Sequence, residues 1–287
     1  MQPEKYLTVY QNKIIKKGKM KTRVINGIVM IAIAVSLFSC RGYLWNCIDG
    51  NGYKTVEYRY LEDFDEVTVT GDYDVYINQA NDYEILIEAD ENLLPYVVTD
   101  VSGDKLKIKN YENRCLDPTG SIDIYITMPE INKLKLTGSG LIVCDSLDAN
   151  DLEVELIGSG DIELGYGSSY IFIRDELKIE NAGSGNIFID LEADVVEVDL
   201  IGSGDIVLEG NADESDLYIA GSGDIESEDL VVDECEAKII GSGDMFVYVN
   251  RVLDVKIAGS GDLYYYGNPG RIYQDITGSG DVINRGK

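Results

Sequence analysis

The residues of this 287-residue chain that could do chemistry are aspartates that follow a repeated Gly-Ser-Gly motif. The stretch "LIGSGDI" stands at 156–162 and again, letter for letter, at 200–206. Carboxylates at regular spacing could bind a cation such as Ca²⁺, or they could accept hydrogen bonds from backbone N–H groups in a tight corner. The acidic position is occupied by Asp161, Asp205, Asp224, Asp244, Asp262 and Asp281, with Asn186 in one copy and Leu141 in the first.

The motif belongs to an internal repeat whose first glycines lie 20, 25, 19, 19, 20, 18 and 19 residues apart. The one long interval contains "GYGSSYIFIRDE", which we interpret as a loop insertion. Inside a copy, apolar residues such as Leu152, Val154 and Leu156 alternate with polar ones, which indicates strands with one buried face. A unit this short cannot bury its apolar face alone, so neighbouring repeats must stack.

Two stacked architectures compete, a β-helix with one repeat in each coil and a propeller with two repeats in each blade of roughly 40 residues. Large and small residues alternate before the first glycine of each copy, which suits a two-repeat blade. The alternation equally suits a β-helix, where a large side chain on one coil fits over a small one on the next. We predict the β-helix, an all-β fold with coils of about 19 residues. The alternating residues are Thr137, Ile157, Ala182, Ile201, Ala220, Ile240, Ala258 and Thr277.

The part of the chain before the repeats continues the alternation less regularly. The stretches "VTVTGDYDVYI" and "SIDIYITMP" each place apolar residues at every second position. No linker rich in Pro, Gly or Ser separates this part from the repeats. We therefore predict one domain over 53–287, with irregular N-terminal coils over 53–130 and the Gly-Ser-Gly-Asp repeats over 131–287.

Several stretches of the chain resemble the autotransporter adhesin head GIN domain family. They are "FDEVTVTGDYDVYI", "ADENLLPYVVTDVSGDKLKI", "MPEINKLKLTGSGL" and the serial "GSGDI", and the resemblance covers roughly residues 60–285. It implies a right-handed single-stranded parallel β-helix in an exported, often lipid-anchored protein. It also implies an adhesive role, and it brings no catalytic residues.

The N-terminal segment is typical of a bacterial lipoprotein signal. Residues 1–19 are interpreted as an extension that is not retained, and 20–39 as a signal peptide with a charged start and an apolar centre. The tail "LFSC" resembles a lipobox, so Cys40 is the predicted lipidation site and 40–52 the anchor and linker. The apolar run is shorter than the ~18–20 residues that span a bilayer. We expect an outer-membrane lipoprotein that contacts the membrane through its anchor, on either the periplasmic or the surface side.

The charge and the cysteines limit the possible partners. After residue 39 the chain has 17 basic and 51 acidic residues, so nucleic acid should be repelled and cations or basic partners attracted. With no histidine and no zinc-like cysteine spacing, the pattern points to no metal site of the usual kind. Cys47 and Cys115 are candidates for a disulfide, whereas Cys144 and Cys235 fall on the core-facing positions.

The function predicted from the sequence is a non-catalytic structural or adhesin-like binding role, without a cofactor. The aspartates are interpreted as hydrogen-bonding posts of the corners, and a weak Ca²⁺-binding column is the alternative. Tyr264 and Tyr266 are the candidate contacts for a glycan or protein ligand. A polysaccharide-processing enzyme is a further alternative, in which Arg174, Lys178 and Arg251 would join nearby aspartates. The strong negative charge argues against the acidic polysaccharides that such an enzyme would cut.

Overall fold

The computed structural model describes residues 47–165 and 171–286. The predicted extension, the signal peptide and the lipidation site at Cys40 lie outside the described residues, as does part of the predicted loop insertion. In the described part of the chain no helix is long and apolar enough to cross a membrane.

Strands dominate the described chain, and two short 3₁₀ turns, Leu94–Tyr96 and Tyr111–Asn113, interrupt them near the N-terminal end. The strands before the repeats are β1 (Ile48–Asp49), β2 (Lys54–Arg59), β3 (Glu66–Gly71), β4 (Asp74–Gln79), β5 (Glu84–Asp90), β6 (Val97–Ser102), β7 (Lys105–Asn110), β8 (Leu116–Asp117) and β9 (Asp123–Met128).

The strands of the repeats are β10 (Lys133–Gly138), β11 (Leu141–Cys144), β12 (Leu147–Ala149), β13 (Leu152–Gly158), β14 (Asp161–Leu164), β15 (Ile171–Ile173), β16 (Glu176–Gly183), β17 (Asn186–Gly202), β18 (Ile206–Gly221), β19 (Ile225–Gly241), β20 (Met245–Gly259), β21 (Leu263–Gly267), β22 (Arg271–Gly278) and β23 (Val282–Gly286). The longest of them, such as β17, follow the chain through most of a coil.

Each repeat forms one coil that lies parallel and in register on the coil before it. Gly138 pairs with Gly158, Gly158 with Gly183, and Gly183 with Gly202. The long interval between Gly158 and Gly183 leaves the register of the two coils intact. The predicted parallel β-helix, or β-solenoid, is confirmed.

The core is a set of aliphatic columns inside the coils. Leu152, Val154 and Leu156 are fully buried, as the alternation predicts, and their equivalents in the other coils continue the same columns. Burying an aliphatic side chain of this size contributes about 1.5–3 kcal/mol. Cys144 and Cys235 lie among them as free thiols, and burial raises the pKa of each to about 12. These two cysteines therefore act as packed, un-ionised side chains.

The N-terminal end contains one full coil and strands of mixed direction beyond it. Strands β3 and β4 form the coil, which pairs with β10 and β11 on one side and with β7 and β9 on the other. Strand β5 then runs antiparallel to both β9 and β2, and β6 runs antiparallel to β7. The chain thus folds back over this end of the stack before it starts the repeats.

A disulfide and a buried carboxylate hold the first described residues to this end. Cys47 and Cys115 are joined by a disulfide beside the short parallel pair of β1 and β8. The carboxylate of Asp90 accepts hydrogen bonds from the Thr119 N–H, the Thr119 hydroxyl and the Gly52 N–H, each at 2.8 Å. The bond from the Thr119 backbone is the main reason that the pKa of Asp90 lies below the usual value.

Candidate functional site

The repeated motif forms a corner at which successive coils approach one another closely. Gly158 and Gly202 have φ angles of 131° and 145°, values that side chains rarely allow. A Cβ atom on Gly202 would lie 2.1 Å from the carbonyl oxygen of Gly183 in the preceding coil. A Cβ atom on Gly204 would lie 1.9 Å from the carbonyl oxygen of Gly185. Both glycines of the motif are therefore required by backbone stacking.

The same close approach gives each corner its backbone hydrogen bonds. The Ser203 and Gly204 N–H groups both donate to the carbonyl oxygen of Gly183, at 2.9 and 3.3 Å. The serine side chains face solvent, and the Ser242 and Ser260 hydroxyls lie 3.1 Å apart. The serine row thus lies on the outside of the corner, beside the acidic row.

The aspartates form a hydrogen-bonded ladder that links one coil to the next. The Asp224 N–H donates to Oδ1 of Asp205 at 3.1 Å, and the Asp244 N–H donates to Oδ1 of Asp224 at 2.7 Å. The ladder continues from Asp262 to Asp244 at 2.8 Å and from Asp281 to Asp262 at 2.9 Å. The side-chain oxygen takes the place of a backbone carbonyl in the ladder. We name the row from Asp161 to Asp281 the acidic ladder.

The two departures from the motif show what the position requires. Asn186 occupies it without loss, because its Oδ1 accepts the Asp205 N–H at 3.1 Å and its Nδ2 donates to Asp161 at 3.0 Å. The Leu141 side chain has no acceptor, so the Asp161 N–H donates instead to the carbonyl oxygen of Gly140 at 3.0 Å. The ladder needs an oxygen acceptor, and a charge is not essential to it.

The pKa of Asp224 shows the electrostatic cost of placing the carboxylates of the acidic ladder close together. Burial, and then the neighbouring carboxylates of Asp205 and Asp244, raise its pKa, while the bond from the Asp244 N–H lowers it. Across residues 47–165 and 171–286, no three Asp, Glu, Cys or His side chains converge on a point where one ion could bind. The predicted cation column of Asp161, Asp205, Asp224, Asp244, Asp262 and Asp281 stays a prediction.

The structure places Tyr264 in an outward-facing column. Its ring stacks on Phe246 of the preceding coil at 4.8 Å, and the Arg285 guanidinium lies over it at 4.4 Å. Its hydroxyl donates to Oδ2 of Asp262 at 3.1 Å. Phe246 and Arg285 therefore cover the two faces of the ring, and Asp262 accepts the hydroxyl proton. Tyr266 lies two residues further along the same strand and is half-buried.

The column that contains Tyr264 runs the length of the stack, two positions after each acidic residue. At its other end Tyr76 and Tyr125 stack at 5.1 Å. Sequence reasoning missed this column, although a fixed offset from the acid would have revealed it. We name it the outer column, and its members in spatial order are Tyr125, Tyr76, Val143, Glu163, Phe188, Val207, Glu226, Phe246, Tyr264 and Ile283.

The three basic residues of the enzyme alternative each form an ion pair of their own. Arg174 pairs with Asp148 at 2.5 Å, and Lys178 pairs with Glu180 at 2.9 Å. Arg251 lies 3.4 Å from both Asp233 and Glu234. The three basic residues therefore pair with three different sets of acidic residues, and only Arg251 lies between two carboxylates.

The residues that alternate in size before the first glycine face outward. Ile157, Ile201 and Ile240 are exposed, with Ala182 and Ala220 between them in the same column. The alternation thus belongs to the surface beside the corner, and the large side chains have small neighbours on either side.

In-register parallel coils closed by paired glycine corners define this protein as a β-solenoid. The chain belongs to the family described as "Putative auto-transporter adhesin, head GIN domain", whose model matches residues 63–173 and 166–269. The resemblance carried by the sequence motifs is therefore confirmed. A comparison with curated proteins finds no match.

Solved structures from Parabacteroides share the fold. A "putative lipid binding protein" of Parabacteroides distasonis is 32% identical, with a TM-score of 0.77 over 83% of this chain and 98% of that one. A "putative adhesin" of Parabacteroides merdae is 25% identical, with a TM-score of 0.76 over 83% and 98%. A "putative adhesin" of Parabacteroides distasonis is 26% identical, with a TM-score of 0.77 over 83% and 100%. None of these descriptions names an enzyme.

Proposed function

We propose that this protein is an exported, lipid-anchored β-solenoid with a non-catalytic, adhesin-like binding role at the cell envelope. Membership of the adhesin head family and the two adhesin-named relatives support the binding role. The lipobox-like "LFSC" supports anchoring at Cys40, and the membrane that we propose for this anchor is the outer membrane. The single observation that carries the proposal is the outer column, an in-register row of outward-facing side chains with a stacked aromatic pair towards each end.

The outer column suits an extended ligand such as a glycan or a protein segment. Its residues repeat with the spacing of the coils, ~4.8 Å, so a long ligand meets aromatic or aliphatic side chains on several coils. Aromatic edges offer apolar contact, and the Tyr264 hydroxyl oxygen can still accept a hydrogen bond while its proton is donated to Asp262. The formal net charge of −28 disfavours polyanions, so the expected ligand is a neutral glycan or a basic protein.

The binding role is tested by retention of the purified protein on immobilised neutral glycans and matrix proteins. We expect the double variant Tyr264→Ser, Tyr266→Ser to lose at least about tenfold in affinity, equivalent to roughly 1.4 kcal/mol. Tyr218→Ser is the matched control, because Tyr218 is a half-buried strand tyrosine in β18 that belongs to a different outward-facing column, in register with Asp199 and Lys238. Equal retention of both variants, or no retention of the wild type on any surface, would contradict the proposal.

A vesicle arm in the same experiment tests the other ligand class, because the relative that is 32% identical is described as lipid-binding. Retention on neutral lipid vesicles but on no glycan or protein would replace adhesion with lipid binding. Anchoring is tested separately by fatty-acid labelling, which Cys40→Ser should abolish. Protease treatment of intact cells then distinguishes a surface position from a periplasmic one.

A further inference from the structure

The two ends of the solenoid differ in whether further strands cover the last coil. At the N-terminal end the chain folds back in antiparallel strands, and Leu93, Leu94 and Val97 are buried in the core there. At the C-terminal end the last coil consists of β22 and β23, which pair with β20 and β21 on one side. Among the pairings of the described strands, β22 is in register only with β20 and β23 only with β21. This end presents an unpaired parallel edge.

The open end also exposes the apolar interior of the stack. Ile272 and Ile276 are in register with Leu253 and Ile257, so they lie on the inner columns of the core. Leu253 and Ile257 are 0% and 2% exposed, whereas Ile272 and Ile276 are 36% and 38% exposed. Within residues 47–165 and 171–286, the last coil therefore has core residues that no further coil covers.

The edge strand β22 has few of the features that usually prevent pairing with another chain, since Arg271 and Asp275 are its only charged residues. Edge strands are commonly protected from pairing with another chain by charged side chains such as lysine, by proline, by a bulge or by being very short. Strand β22 is eight residues long, contains neither lysine nor proline, and keeps an unbroken register with β20. It is well formed for the addition of another strand.

The charge distribution favours a second copy of this chain as the occupant. Residues 153–235 contain 23 acidic and two basic residues, so the middle coils of two copies repel each other. Residues 236–287 contain six acidic and six basic residues, and this part has no net charge. Two copies can therefore approach through their last coils while the acidic middle coils stay apart.

We infer that two copies of this chain associate end to end, with β22 of each copy antiparallel to β22 of the other. Centring the pair on Gln274 places Ile272 opposite the partner's Ile276 and joins the two exposed cores. Two-fold pairing of this kind is closed, because each copy uses the same surface. The other end of each copy is covered by its antiparallel strands, so growth stops at the dimer.

Sedimentation of the purified full-length chain tests the inference. We expect the wild type to sediment as a dimer at micromolar concentration and Ile272→Asp, Ile276→Asp to sediment as a monomer with unchanged circular dichroism. Ile201→Asp is the matched control, since Ile201 is an exposed isoleucine on an outer face, and it should remain dimeric. A monomeric wild type, or equal dimerisation of all three proteins, would overturn the inference.

Cysteine cross-linking tests the register independently of stability. Gln274→Cys should give a disulfide-linked dimer on mild oxidation, because antiparallel partners bring Cα atoms to about 4.5–5.5 Å. Ser203→Cys, an exposed corner residue of a middle coil, should give none. Both variants are made in a Cys40→Ser background; of the other native cysteines, Cys144 and Cys235 are buried and Cys47 and Cys115 are bridged. Failure of Gln274→Cys to cross-link above the Ser203→Cys level would rule out pairing about Gln274.

Discussion

At the scale of single residues, the repeated aspartate is a hydrogen-bond acceptor between coils. Its role as an acceptor could be predicted from the motif, because Asp and Asn after glycine commonly accept bonds from turn N–H groups. The donor could not be predicted from the motif. It is the N–H of the equivalent residue one coil later, for example Asp244 to Asp224, and only the register of the stack brings these two residues together.

Substitutions at Asp224 separate its acceptor role from its charge. Asp224→Ala leaves the half-buried Asp244 N–H without its partner, and we expect a loss of about 1–3 kcal/mol in the free energy of unfolding. Asp224→Asn keeps an oxygen acceptor, as Asn186 does, and we expect it to stay within about 0.5 kcal/mol of the wild type. Urea titrations of the three proteins at neutral pH give the comparison.

The pH dependence gives the sign of the charge effect at Asp224. Because its pKa is raised in the folded state, ionisation opposes folding above the ordinary Asp pKa of ~3.9. Any advantage of Asp224→Asn should therefore be present at neutral pH and vanish as the pH falls below that value. Asp213→Ala, which removes an exposed carboxylate elsewhere, is the control and should change little. If Asn and Ala cost the same at position 224, the acceptor role is wrong.

At the scale of elements, the glycine corners decide how closely the coils can stack. The strained φ angle is only part of the requirement, because a Cβ atom would also strike the backbone of the preceding coil. Gly202 has a φ angle of 145° and a carbonyl oxygen 2.1 Å from the position of its Cβ, whereas Gly103 has a φ angle of 65° with open space around it. These two glycines separate conformational strain from stacking.

We expect Gly202→Ala to destabilise the protein far more than Gly103→Ala. Alanine at position 103 would have open space around its Cβ atom. It would therefore lose only the cost of a left-handed backbone conformation, about 1–2 kcal/mol of stability. Alanine at Gly202 adds a clash with backbone atoms that cannot move without opening the stack, so soluble yield should also fall. Thermal melting and soluble expression of both variants measure the difference. Equal effects at the two positions would show that the corner tolerates a side chain.

The stacked coils could be predicted from the sequence, whereas the N-terminal end could not. Near-constant spacing and strict alternation, as in Leu152, Val154 and Leu156, determine both the strands and their parallel stacking. Alternation in "YEILIEAD" and "KLKIKNY" predicts strands but carries no information on their direction. Strand β5 is antiparallel to its neighbours because the chain must turn back to cover the open core, a constraint set by tertiary structure.

At the scale of the whole molecule, negative charge is concentrated where the coils are most regular. Residues 153–235 contain 23 of the chain's 52 acidic residues and only two of its 24 basic ones. Each pair of carboxylates ~5 Å apart repels by about 1 kcal/mol in water. The glycine corners and the aliphatic core stabilise the fold enough to offset this repulsion. Dissolved salt screens the repulsion between the carboxylates.

Salt should therefore stabilise the folded protein, and the kind of salt distinguishes screening from specific cation binding. Raising the NaCl concentration to about 0.5 M shortens the screening length to roughly 4 Å and should raise the melting temperature. Each 1 kcal/mol gained corresponds to about 2–4 °C in a protein of this size. If the acidic ladder only accepts hydrogen bonds, CaCl₂ at matched ionic strength gives the same rise. An additional rise with Ca²⁺ that disappears in Asp244→Asn but persists in Asp213→Asn would instead establish a cation-binding column, because only Asp244 belongs to the ladder.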